Sequence, residues 1–129
     1  MQNVFKLLLF ILSMNDDCIF CKIIKGEIPC RKIYENDNFM SIANIDCLVK
    51  GHALVISKKH FATILDMPNS LSPELFDCIK KTSLKLMEKY NAEGFNLANN
   101  NFKIAGQIIN HLHFHILPRK KSDGFKFGV

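Results

Sequence analysis

The chain has 129 residues, 48% of them hydrophobic and 22% charged, which suits one globular domain and excludes wholesale disorder. Seventeen basic residues against twelve acidic ones leave a charge of +5, an excess that suits phosphate-bearing ligands. There is no long basic run, and aromatic and basic residues alternate only at Phe125-Lys126-Phe127, so a single-strand nucleic-acid binder is excluded.

Val4 to Leu12 is apolar apart from Lys6, far too short to span a bilayer, and Ser13-Met14-Asn15 is a poor cleavage site. Residues 1–13 therefore read as a non-native apolar extension, with Met14 as the native start and 14–129 as the domain. Cys18 to Lys25 predicts a short helical turn ended by Gly26, with Pro29 soon after. Arg31 to Tyr34 and Phe39 to Ile45 read as strands joined through Glu35-Asn36-Asp37-Asn38. Ala53 to Ser57 is a third strand, entered through Lys50-Gly51-His52, and Lys58 to Leu65 reads as a short helix followed by a loop at Met67 to Leu71.

The clearest helix runs from Ser72 to about Tyr90. Ser72 suits the N-cap, Pro73 the first helical position, and Glu74 and Asp77 the positive end of the helix dipole. Leu75, Phe76, Ile79, Leu86, Met87 and Tyr90 make its apolar stripe, while Lys80, Lys81, Lys85 and Lys89 form a solvated face. Phe95 to Ala98 is a fourth strand, Asn99 to Gln107 a polar turn, and Ile109 to Leu117 a fifth strand. Strands with one long helix point to an α+β domain with an antiparallel sheet. The five cysteines are odd in number and irregularly spaced, which fits a reduced, cytoplasmic protein better than a disulfide framework.

The most informative segment is His111-Leu112-His113-Phe114-His115, which holds three of the five histidines. On a strand, alternate side chains share a face, so all three imidazoles would point one way and Leu112, Phe114 and Ile116 into a core. Three readings compete: a solvated face without a task, a metal centre built from the imidazoles, and nucleophilic attack at phosphorus by a neutral imidazole. No carboxylate lies near in sequence to support a catalytic metal. Gly106-Gln107 precedes the strand, where backbone amides and a side-chain donor can meet a phosphate. Arg119 and Lys120 add positive field, and His52 enters another strand. This context favours attack at phosphorus.

At this point the chain resembles the histidine-triad (HIT) family, whose motif is three histidines alternating with apolar residues. The similarity runs from Cys18-Ile-Phe-Cys-Lys-Ile-Ile-Lys-Gly-Glu-Ile-Pro29 to Arg119, and includes Lys50-Gly-His-Ala-Leu-Val-Ile-Ser-Lys-Lys-His60 and Ala105-Gly-Gln107. Within the family the chain resembles the nucleoside phosphoramidase branch and its bacterial relatives. The resemblance implies a five-stranded antiparallel sheet with two helices, extended across a homodimer. It implies that His113 attacks the α-phosphorus of a purine nucleotide conjugate, such as an adenosine 5′-phosphoramidate. His115 and His52 would contact the phosphate and assist proton movement, and His111 would support the triad from its edge. Asn44 and Ile45 would lie beside ribose and base; Asn100, Gly106, Gln107 and Ile108 would lie on the phosphate and leaving-group side. No organic cofactor, nucleic acid or membrane is implied.

Cys18-x-x-Cys21 alone leaves open a structural zinc, a redox pair and plain buried cysteines. The resemblance, through some bacterial relatives, implies zinc held by Cys18, Cys21, His60 and His111. Cys30, Cys47 and Cys78 read as core or filler. Asn44 stands where the family commonly has Asp, Cys47 where it has Pro, Phe102 where Gly is frequent, and Ile108 where Ser or Thr is frequent. These departures bear on substrate choice, so a dinucleoside polyphosphate hydrolase and a nucleotide-binding interaction module with weak catalysis stand as alternatives.

Overall fold

The computed structural model describes residues 18–44 and 48–126. The expectations for residues 1–13, for Ile45 and for Cys47 lie outside these. Five strands form one sheet: β1 (Lys32–Glu35), β2 (Phe39–Ala43), β3 (Ala53–Ser57), β4 (Gly94–Ala98) and β5 (His113–Arg119). Their order is β1-β2-β3-β5-β4 with every neighbouring pair antiparallel. Among the described residues two α-helices accompany the sheet, α1 (Ile19–Ile24) and α2 (Ser72–Tyr90). Among the described residues no helix is long and apolar enough to cross a membrane.

Period-two alternation divides the sheet into two faces. Phe39, Val55, Phe114 and Ile116 pack against Leu75, Cys78, Ile79 and Leu86 of α2. Met40, Ile42, Leu54 and Ile56 pack against Ile19, Phe20 and Ile23 of α1. Burying each such side chain contributes about 1.5–3 kcal/mol. Pairing carries the second face across the sheet: Met40 lies opposite Ile56 and Ile56 opposite His113, while Ile42 lies opposite Leu54 and Leu54 opposite His115. The histidines thus share their side of the sheet with α1.

Four local expectations are corrected. Lys58 to Leu65 is not a helix: its chain is bent and open until one 3-10 turn at Ile64–Asp66, capped by Thr63. In the open stretch the Phe61 carbonyl accepts from Leu112 N–H at 2.7 Å, so tertiary pairing wins over propensity. The N-cap of α2 is Leu71, with Ser72 and Pro73 already helical. Phe76 leaves the predicted apolar stripe and is exposed. Finally, β5 begins at His113, so His111 precedes the strand instead of lying on it. Its N–H turns back to Ile109 O at 2.9 Å, which breaks the extended run.

Gly51 shows why the turn into β3 has no side chain. Its φ is +87°, and a Cβ there would fall 2.6 Å from the Tyr90 ring. The end of α2 therefore rests directly on the backbone that carries His52.

Candidate active site and metal centre

The three histidines of the motif do not act as one group. His111, fully buried, turns its Nδ1 toward Cys18 Sγ at 3.2 Å, Cys21 Sγ at 3.5 Å and His60 Nδ1 at 3.1 Å. Cys21 Sγ lies 3.4 Å from His60 Nδ1, and one ligand atom from each of the four residues lies within 4.8 Å of the others. Donor atoms placed tetrahedrally at zinc bond lengths stand ~3.3–3.8 Å apart, so this spacing and the two-thiol, two-imidazole set fit a closed four-ligand site. The far nitrogen of His111 completes the case: Nε2–H donates to the Ser57 carbonyl at 2.7 Å, which leaves the Nδ1 lone pair facing the cluster. Cys18, Cys21, His60 and His111 thus come together as the family resemblance implies, and they could hold a metal.

His115 faces a different partner. The Leu48 N–H donates to His52 Nδ1 at 3.1 Å, so His52 must carry its proton on Nε2. His52 Nε2 lies 2.9 Å from His115 Nδ1 and donates to it, which puts the His115 proton on Nε2. Asn44 Nδ2 lies 3.3 Å from His52 Nδ1 and joins the same group.

His113 takes a third arrangement. Its Nδ1–H donates to the His111 carbonyl at 2.6 Å, leaving a lone pair on Nε2. Its ring is 6% exposed, with Phe20 and His115 at centroid distances of 5.2 and 5.1 Å. Burial keeps these imidazoles uncharged: it pushes His115 down to about 4 and holds His113 below the ordinary imidazole value. The two neighbouring rings thus differ near pH 7, His113 with a lone pair on Nε2 that could attack and His115 with a proton on Nε2 that could be donated. Because His111, His113 and His115 each serve a different partner, they do not converge on one metal.

The loop before β5 is stapled to the turn after β3. Gln107 Nε2 donates to Ala62 O at 2.6 Å and Ile109 O at 3.2 Å, while its Oε1 accepts from Phe102 N at 2.8 Å. The Gln107 carboxamide is thus committed within the loop. Asn101 Oδ1 accepts from Ile64 N at 2.8 Å, and Asn99 Nδ2 donates to His113 O at 2.9 Å. Gly106, at φ +96°, sits against the Asn100 carboxamide, and Ile108 projects outward at 88% exposure. Phe102 adopts φ +72° and ψ 152°, a conformation that suits the glycine frequent at this position. The expected positive field of Arg119 is spent locally on Asp123 at 2.6 Å and on Asn96 Oδ1 at 2.7 Å.

Several participants escaped sequence reading. The Ser57 and His111 carbonyls and the Leu48 N–H fix three tautomers, yet backbone groups leave no residue-type signal. Phe20 was legible only as the apolar residue inside Cys18-x-x-Cys21.

A family model described as HIT domain matches residues 25–122. The chain is 40% identical over 111 residues to an adenylylsulfatase of Arabidopsis thaliana, covering 86% of this chain and 56% of that one. It is 38% identical over 122 residues to an adenosine 5′-monophosphoramidase of Candida albicans, covering 92% and 80%. A crystal structure of a HIT-family protein from Bacillus subtilis superposes with a TM-score of 0.81 at 38% identity, covering 87% of this chain and 80% of that one.

Proposed function

Because the chain belongs to the HIT family, we propose that it is an enzyme that hydrolyses adenylyl conjugates, above all adenosine 5′-phosphoramidates, at the α-phosphorus. The observation that carries this reading is the His113 tautomer: with Nδ1–H given to the His111 carbonyl, the Nε2 lone pair is the attacking pair. In the first step His113 Nε2 bonds to the α-phosphorus and the amine departs with its bonding electrons, taking up a proton. In the second, water attacks the same phosphorus, the phosphorus–nitrogen bond to His113 breaks, and the nucleoside monophosphate leaves. His115 Nε2–H donates to a phosphate oxygen, and His52 holds His115 in the required tautomer. A donor hydrogen bond of this kind lowers the barrier by about 1.5–3 kcal/mol.

Asn44 and Ile45 are assigned to ribose and base. Asn100, Gly106, Gln107 and Ile108 are assigned to the phosphate and leaving-group side. Relatives named for phosphoramidate and adenylylsulfate chemistry support an adenylyl group as the common element. For the metal, Cys18, Cys21, His60 and His111 would hold zinc, which would crosslink α1, the segment after β3 and the entry to β5. Zinc here supplies structure.

We assign a homodimer through β4, the outer strand at one end of the sheet. Among the described residues no strand pairs with its outer edge, which invites a second sheet, and Phe95, Leu97 and the α2 residue Phe76 are exposed large apolar side chains. Sedimentation of Leu97→Lys should show a monomer where the unaltered chain sediments as a dimer.

The central test is mass spectrometry of protein quenched with a slow adenylyl substrate. An adenylyl group on the peptide carrying His113 is expected. Turnover with no covalent adduct, or an adduct elsewhere, would overturn the mechanism.

A further inference from the structure

The metal-ligating cluster and the nucleophile meet at two places. The first is the His111 carbonyl, which accepts the His113 Nδ1–H at 2.6 Å while the side chain of the same residue sits in the cluster. The second is Phe20, which lies between Cys18 and Cys21 and is 1% exposed. Its ring meets both His111 and His113 edge-on, at centroid distances of 5.6 and 5.2 Å. One wall of the nucleophile and its tautomer-setting acceptor are therefore held by residues that adjoin or belong to the cluster.

The helix that carries Phe20 cannot hold itself. Helix α1 has six residues, well below the ~12–15 at which an isolated helix is even marginal. What fixes it is apolar burial of Ile19, Phe20 and Ile23 on one side and the cluster at its N-terminal end. The cluster also draws on segments distant in sequence, joining the start of α1 to His60 and His111. If it opens, both α1 and the main chain at His111 gain freedom together.

We propose that the Cys18, Cys21, His60 and His111 cluster is a positioning element for His113: closed on a metal, it holds the His111 carbonyl and Phe20 where together they present His113 Nε2 to the substrate. The inference rests on His113 being the nucleophile, as argued above. It makes Phe20, His60 and the two cysteines positioning residues that need touch no substrate. A displacement of about 1 Å at the attacking atom can slow a reaction roughly 100-fold, so a small release at α1 is enough.

The experiment compares zinc-loaded protein, protein stripped with EDTA and then resupplied with zinc(II), and His60→Ala, all labelled with nitrogen-15 in histidine. Two readouts are taken: the His113 ring nitrogen shifts, which report tautomer, and the rate of the single-turnover adenylyl adduct. With zinc bound, His113 is expected as one Nδ1–H tautomer. Stripping or His60→Ala should mix the tautomers and slow adduct formation roughly 10- to 100-fold, with AMP affinity changed less than threefold. Zinc(II) should restore the stripped protein. Phe20→Leu, which keeps all four ligands, should retain zinc and still slow the adduct, a check that stands even if the stripped protein unfolds. His113 signals and adduct rate that ignore zinc, or Phe20→Leu at the full rate, would overturn the positioning role. A tautomer that follows zinc while no adduct forms in any state would uphold the coupling and sink the nucleophile assignment instead.

Discussion

His111 and His115 lie four residues apart on the same side of the sheet, yet they are held in opposite ways. His111 gives Nε2–H to a main-chain carbonyl and turns Nδ1 to two thiols and an imidazole. His115 accepts at Nδ1 from His52, which leaves its proton on Nε2 as a donor. One position could hold a cation and the other, on the proposed function, would meet an anion, and His113 stands between them with a lone pair. An imidazole has no fixed role; its second nitrogen is told what to do by whatever the first one touches.

Removing the residue between the two regions should have the largest effect. His113→Ala is expected to lower kcat at least 1,000-fold and abolish the adenylyl adduct, while AMP binding and the melting temperature stay near those of the unaltered chain. Steady-state kinetics with parallel calorimetry checks it; a variant that turns over normally would refute covalent catalysis at His113.

The comparison sharpens when the cation-binding side alone is altered. If free zinc stands 1,000-fold above its Kd, chelation should cost about 4 kcal/mol of stability, and Cys18→Ala should lose the same increment while no longer responding to chelator. Thermal unfolding with and without EDTA measures this. A melting temperature indifferent to both treatments would remove the metal from the account.

The anion side should respond without touching the metal. His52→Ala frees His115 Nδ1 to take up the proton that it now lacks, and a 10- to 100-fold loss in kcat with zinc content unchanged is expected. His52→Asn, which keeps a side-chain amide donor, should recover part of the loss. Equal losses in both variants would mean that His52 serves only packing.

The smallest effect is in pH. His115 is held neutral with its value pushed down to about 4 by burial, against about 6.5 in an unfolded chain. Below about pH 6.5 the unfolded chain takes up the proton first, so this contribution to stability is complete above that pH and is lost progressively as pH falls toward about 4. Denaturant midpoints across that window should decline for the unaltered chain and decline less for His115→Gln. A steeper decline in His115→Gln would contradict this.

What the sequence disclosed follows from what kind of information each feature needs. The alternation of His113, Phe114, His115 and Ile116 is local and period two, so strand, face and core side were legible. So was the extent of α2, although its cap is Leu71 and Phe76 leaves its apolar stripe. The cluster of Cys18, Cys21, His60 and His111 was legible only through resemblance, because its members span 93 positions between Cys18 and His111. The tautomers were hidden, since Leu48 N–H and the carbonyls of Ser57 and His111 belong to the backbone and look alike in any residue. The segment from Lys58 to Leu65 misled because helical spacing there yields to a long-range pairing with Leu112.

Phe102 occupies backbone angles that glycine would take without cost, and Gln107 Oε1 holds its N–H there. The other end of the same carboxamide is spent as well, Nε2 donating to the Ala62 and Ile109 carbonyls, so an anion meeting Gln107 would have to displace one of those two acceptors while the bond to Phe102 stays in place.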